Sequence, residues 1–349
     1  MNETELKNTI GAVIDPALGK SLADLKMIRA VTVDGETVRV EIELPTTAYP
    51  NRAGLAELVQ DAVAEGEIDV EFTAVVRGRD SGGKIGLRVH NVVCVGSGKG
   101  GVGKSTVAAG LAFALKHSGA RVGLMDADVY GPSIPHLLGA EGEPSIEEKQ
   151  SPDGEAVARI QPVEVDGIKL MSMGFHVEKD QAVIWRGPLL HRTLTQFLQM
   201  TDWGELDYLV IDMPPGTGDV ALTLSQLLSI SGAVVVCTPQ EVALLDALKA
   251  ISMFRQVKIP VLGIVENMSG EIFGRGGAKQ TAEELGVPFL GELCAEPEVR
   301  LRGDAGKMNS IIDEDSPVRD ELIAISQAVA IEVARDVVGG TELPDLEIL

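Results

Sequence analysis

The residues best placed to do chemistry lie in one stretch. Residues 98–105 read GKGGVGKS, the G-x-x-x-x-G-K-[ST] spacing of a loop that holds phosphate. Gly98, Gly100, Gly101 and Gly103 let backbone N–H groups, that of Val102 included, converge on phosphate oxygens without interference from Cβ atoms. Lys104 places a charge on the β- and γ-phosphates of a nucleoside triphosphate, and the Ser105 hydroxyl is a ligand for Mg²⁺. The helical stretch that follows points its positive end at the same phosphates. A second lysine, Lys99, follows the first glycine. It cannot easily fold back onto phosphates held by its own loop, but a second copy of the chain can present it across an interface, as an arginine finger is presented. Lys99 therefore predicts a homodimer with nucleotide between the chains; the alternative is an ordinary solvated lysine.

Two further segments carry acids. In LMDADVYGPS, Asp126 and Asp128 follow a strand run on a loop able to reach the γ-phosphate, and Asp128 is the candidate to orient the attacking water. In DYLVIDMPPGTGD, Asp212 closes a strand, where a Mg²⁺-associated acid is expected, and Gly216, Gly218 and Asp219 form a loop able to sense the γ-phosphate. A helix cap or a solvated turn is the alternative for each acid.

Positioning these groups needs strands ending where the loops begin. Apolar, β-branched runs at 92–96, 121–126, 168–173, 208–212, 233–238, 261–266 and 288–290 alternate with helical patterns at 104–117, 189–200, 220–229, 242–257 and 278–285. That alternation predicts an α/β fold, a mostly parallel sheet covered by helices on both faces. A last amphipathic helix is expected over 315–338, and the acidic segment 140–167 reads as a surface excursion. Residues 1–78 have their own pattern of two helical and three strand segments, a small α+β domain. The Gly-, Ser- and charge-rich stretch 79–90 reads as a linker to a nucleotide-binding domain over 91–349.

The 349 residues carry 30 Lys and Arg against 52 Asp and Glu, a net charge of −22. Nucleic-acid binding needs the opposite balance and is not expected. The acids are spread along the chain, which favours a surface adapted to salt over a docking face for basic partners. No run approaches 18 apolar residues and no secretory leader is visible, so a soluble cytoplasmic protein without membrane contact is expected. Cys94, Cys237 and Cys294 are too few for a disulfide framework, and the five histidines lack metal-site spacing.

KGGVGKST, MDADVYGPSIPHLLG, IWRGP, WGELDYLVIDMPPGTGD, TPQEVALLDALKAI and GIVENMS together resemble the Mrp/ApbC-type P-loop ATPases, kin of MinD, ParA and the nitrogenase iron protein, over residues 88–315. DPALGKSLADLKMIRAVTVDG with LPTTAYP resembles the small SufT-like domain often fused to that family. The resemblance implies an ATP-hydrolysing iron–sulfur cluster carrier or assembly factor, a slow ATPase acting as a nucleotide-switched homodimer with assembly or client proteins as partners. It implies that Lys99 is the signature lysine, that Lys104, Ser105 and Thr106 contact phosphate and Mg²⁺, and that Asp128 and Asp212 are the two switch acids. Asn267 matches the asparagine that reads the adenine edge, and no guanine motif is seen, so ATP is implied. Trp185 and Arg186 either brace the dimer or simply pack.

Two departures bear on the cluster. Cluster-carrying members insert a C-x-x-C pair after ENMS, whereas here ENMSGEIFGRGG runs on without it, and Tyr49 stands where the small domain has a cysteine. A bridged [4Fe–4S] cluster needs four soft ligands. Cys94 and Cys237 fall in strand runs, leaving Cys294 as the candidate ligand. An ATP-switched adaptor without its own cluster is therefore the alternative function. A MinD/ParA-like regulator would need a basic membrane-binding tail or DNA-binding face, and residues 342–349, ELPDLEIL, are acidic.

Overall fold

The computed structural model describes residues 3–34, 37–63, 67–78, 81–150, 156–176, 187–216, 218–313 and 315–339. Trp185, Arg186 and the acidic tail lie outside them. Packing divides the chain into Met1–Arg77 with Ala330–Leu349, and Gly78–Val329. The expected division into 1–78, a linker over 79–90 and 91–349 differs from this at the C-terminus, where the end of the last helix belongs to the smaller unit.

In the smaller unit, α1 (Glu3–Gly11), β1 (Ile28–Asp34), β2 (Thr37–Leu44), α2 (Arg52–Ala62) and β3 (Glu67–Ala74) build a three-stranded sheet of order β1-β2-β3. β1 pairs antiparallel and β3 parallel to β2. Strict alternation in β2 turns Val38, Val40, Ile42 and Leu44 inward. They meet Leu6 and Ile10 of α1, Leu55 and Val59 of α2, and Ile331 and Ala334 from the last helix. Each such buried Leu or Ile contributes about 1.5–3 kcal/mol. Arg335 adds a hydrogen bond from Nη2 to the Ala17 carbonyl at 2.7 Å. Tyr49 is buried, and its hydroxyl donates to Asp15 Oδ2 at 2.6 Å. The other carboxylate oxygen accepts from the Ala17 and Leu18 amides.

The larger unit contains β4 (Val89–Gly96), α3 (Lys104–His117), β5 (Val122–Asp126), α4 (Ile134–Leu137), β6 (Ser145–Gln150), β7 (Ala156–Gln161), β8 (Val163–Val165), β9 (Ile168–Ser172), α5 (Gly187–Met200), β10 (Leu206–Asp212), α6 (Gly218–Leu227), β11 (Gly232–Cys237), α7 (Glu241–Gln256), β12 (Val261–Ser269), α8 (Gly277–Leu285), β13 (Phe289–Cys294), α9 (Pro297–Asp304), α10 (Ser310–Asp313) and most of α11 (Pro317–Gly339). Its eight-stranded sheet has the order β13-β12-β11-β4-β10-β5-β9-β8, parallel except for the β8–β9 pair. β4, β10 and β11 are apolar runs rather than alternating ones because helices cover both faces of a parallel sheet. α3, buried from Val107 to Leu115, packs on β5 and β10. The 140–167 excursion contains an antiparallel hairpin, β6 with β7, and the short edge strand β8. Among the described residues no helix is long and apolar enough to cross a membrane.

Candidate nucleotide site

Register assembles the site. Asp212 at the end of β10 pairs with Val95 on one side and with Asp126 on the other, so both carboxylates sit beside the loop that leaves β4. In an open α/β sheet this crevice at the carboxyl ends of the strands is where ligands bind. Lys99, Gly100, Gly101, Gly103, Lys104, Ser105 and Thr106 line a cavity of about 280 Å³, with Asp128, Gly131 and Ser133 from the β5–α4 loop and Pro215 from the loop after β10.

Two glycines explain the shape of the loop. Gly103 has φ 78° just before α3, a conformation costly for residues with a Cβ, and a Cβ there would lie 2.1 Å from Asn267 Nδ2. At Gly98 a Cβ would come within 1.9 Å of the Asp246 carbonyl oxygen, so the loop backs directly onto α7. Gly98 and Val102 are thus supports rather than cavity lining. Val102 is buried, and its carbonyl accepts a hydrogen bond from Asn267 Nδ2 at 2.8 Å. The structure therefore places Asn267, expected at an adenine edge, with its amide group bracing the phosphate loop.

Lys104 is only 6 % exposed and lies between two acids. Its Nζ donates to Asp212 Oδ1 at 2.6 Å, stands 3.4 Å from Asp128 Oδ2, and lies 3.4 Å from Ser105 Oγ. Asp212 is fully buried, and burial raises its pKa against the opposing pull of Lys104. Its Oδ2 has no hydrogen-bond partner. An unsatisfied buried carboxylate oxygen beside a serine hydroxyl is an oxygen-only donor set of the kind Mg²⁺ prefers, so these residues fit that ion. Asp126 is pushed up to about 7, by burial first and by the Asp212 charge second. Gly216 stays close by, its N–H donating to the Ser97 carbonyl at 3.0 Å. Gly218 and Asp219 open α6, with Asp219 in its first turn.

Cys294 lies elsewhere, at the end of edge strand β13 and in register with Ser269. Arg275 Nη2 donates to its Sγ at 3.1 Å, and its thiol is raised to about 11, chiefly through Glu321 and then by burial. Cys94 and Cys237 are buried in the sheet and pushed up to about 12, burial being the main cause for each. Among the described residues no cluster of three or more His, Cys, Asp and Glu is arranged to hold a metal ion. After β12 the chain turns tightly through the Gly270–Gly274 bridge, leaving Ile272 86 % exposed at the tip.

Neither the bracing by Asn267 nor the hydrogen bond from Ser172 to Asp126 was legible beforehand, since both depend on which strands become neighbours.

The family described as NUBPL iron-transfer P-loop NTPase matches residues 88–330, and one described as iron-sulfur cluster assembly protein matches residues 3–72. The iron-sulfur cluster carrier protein of Deinococcus radiodurans is 41 % identical over 348 residues, covering 96 % of each chain. A nucleotide-binding protein of Archaeoglobus fulgidus, solved with ADP, is 37 % identical and superimposes with a TM-score of 0.56 over 70 % of this chain and 97 % of its own. The cell division ATPase MinD of Pyrococcus furiosus, at 21 % identity and a TM-score of 0.52 over 68 % of this chain and 98 % of its own, shares the fold.

Proposed function

The chain belongs to the iron–sulfur cluster carrier family of P-loop NTPases, and from that membership we propose that it binds and hydrolyses Mg-ATP as a homodimer whose nucleotide state governs its part in cluster transfer. The observation that carries this reading is Lys104 held between Asp212 and Asp128 at the wall of the cavity formed by the phosphate loop. A triphosphate entering the cavity draws the ammonium from Asp212 onto its own β- and γ-oxygens. Asp212 and Ser105 would then be free to hold Mg²⁺, which would neutralise charge building on the phosphate oxygens. Asp128, at the cavity wall, orients the attacking water. Thr106 and the loop amides hold the remaining phosphate oxygens, and contact with adenine is assigned to Asn267, whose Nδ2 also holds the Val102 carbonyl.

Lys99 is half-buried at the cavity, with no ion pair among the described residues. In the proposal it reaches the phosphates of a second copy. Exposed apolar side chains on the helix behind the loop, Val242 and Leu245 of α7, support such an interface. The test is ATP turnover and size-exclusion with light scattering, each with and without Mg-ATP. Lys99→Ala should keep nucleotide affinity and lose turnover. A chain that stays monomeric when saturated, or a variant that hydrolyses normally, refutes the dimeric site.

For the cargo, the same proposal assigns cluster handling to thiolates supplied by client or assembly partners. Three protonated thiols, two of them inside the sheet, support that assignment. Anaerobic reconstitution with iron and sulfide decides it. The adaptor reading expects no retained iron, whereas about four irons per dimer, lost on Cys294→Ser, would make the chain itself the carrier.

A further inference from the structure

Asp126 ends β5, is fully buried, and does not line the phosphate cavity. Its carboxylate nevertheless accepts three hydrogen bonds beside the site. Oδ1 accepts the Asp128 amide at 3.1 Å, and Oδ2 accepts the Ile134 amide at 3.2 Å and the Ser172 hydroxyl at 2.9 Å. Asp128 and Ile134 mark the entry and exit of the loop between β5 and α4, so one side chain ties both ends. Within that loop, Asp128 Oδ1 accepts the Tyr130 and Gly131 amides at 3.2 Å each, which leaves Oδ2 facing Lys104. Ser172 comes from the neighbouring strand β9 and also accepts the Gly174 amide, which anchors the tether in the sheet.

We infer that Asp126 is a positioning residue that sets Asp128 against Lys104 for ATP hydrolysis without touching nucleotide. The inference rests on the hydrolytic reading above. In its ionised form, above about pH 7, the Asp126 carboxylate suits this task because both of its oxygens then accept and neither donates. An asparagine would aim an N–H₂ group at one of the two backbone amides and lose that tether. Loosening one end of the loop moves the Asp128 carboxylate, and a misplacement of about 1 Å can cost about 100-fold in rate.

Asp126→Asn should lower kcat by about 10- to 100-fold while leaving KM and Kd for ATP within about threefold. Its melting temperature should not fall, because the substitution also removes a buried charge facing Asp212. Ser172→Ala keeps both backbone tethers and should lower kcat by only about two- to fivefold. Amide hydrogen exchange without nucleotide gives a readout independent of turnover, in which the Asp128 and Ile134 amides should exchange faster in Asp126→Asn than in the unaltered chain. A normal kcat, or normal exchange at those amides, overturns the inference. So does a parallel loss of kcat, nucleotide affinity and melting temperature, the mark of a purely structural residue. If the unaltered chain hydrolyses no ATP, the hydrolytic reading fails, and the exchange measurement still decides whether Asp126 holds the loop.

Discussion

Lys104→Ala should do more than empty the nucleotide site. Lys104 is 6 % exposed and Asp212 fully buried, so solvent screens their 2.6 Å contact little. Removing one partner of a buried pair typically costs about 3–5 kcal/mol, because the other charge is left uncompensated. Asp212 can escape that cost by taking up a proton. Its folded pKa, already raised by burial, rises further once the ammonium is gone. Between the unfolded carboxylate pKa of about 3.9 and that raised value, the folded variant binds more protons than the unfolded chain, so its stability falls as pH rises. The deficit relative to the unaltered protein is therefore smaller at pH 5 than at pH 8. At about 2–4 °C per kcal/mol for a unit of this size, the melting temperature should be lower by about 6–20 °C at pH 8. Thermal melts at both pH values, with and without Mg-ATP, test this. The unaltered protein should gain about 2.7 kcal/mol at a ligand concentration 100 times Kd, and the variant nothing. Equal deficits at the two pH values, or an Mg-ATP shift that survives in the variant, would refute the reasoning.

Asp126 makes a related prediction for the unaltered protein. With its pKa raised to about 7, its stability contribution is complete below the unfolded carboxylate pKa and is lost as pH climbs towards 7, a fall of about 4 kcal/mol. Urea midpoints across pH 4 to 8 should show that slope, and Asp126→Asn should reduce it, Asp212 keeping its own share. In the smaller unit, Tyr49→Phe leaves Asp15 Oδ2 without its buried donor and should cost about 1.5–3 kcal/mol. Chemical denaturation of the full chain measures it, and an unchanged midpoint would mean that water replaces the phenol.

The phosphate loop was readable because its chemistry is local. Loop, strand and helix are contiguous, so the spacing GKGGVGKS alone places Lys104 and Ser105. Asp212 was readable for a similar reason, as an acid closing an apolar run, and β4, β10 and β11 stand where those runs predicted them. Non-local contacts were not readable. Asn267 braces Val102 from 165 residues away, because β12 and β4 flank β11 in the sheet. Asp126 looked like one more acid near the phosphates until β9 brought Ser172 against it. The hairpin of β6 and β7 was hidden by charge, since SIEEKQ lacks the apolar alternation that reveals a strand. The packing of Ile331 and Ala334 in the smaller unit was hidden by chain order.

The thiol positions bear on how such a chain could serve cluster transfer. Ligation requires thiolate, and a Cys294 held near 11 is ionised in only about one molecule in 10⁴ at pH 7. Arg275 alone would lower that pKa, but Glu321 outweighs it, with Glu292 adding to the same side. A cluster docking there would have to break the Glu321 contact and recruit three more thiolates, while Cys94 and Cys237 stay inside the sheet. The nucleotide site has the opposite character. Its cavity is open, Asp212 keeps an unsatisfied oxygen beside Ser105, and Lys104 is ready to exchange partners. Binding therefore has a ready switch at the phosphate loop and no ready ligand set at Cys294, which favours a protein that times cluster transfer by ATP while other chains hold the iron.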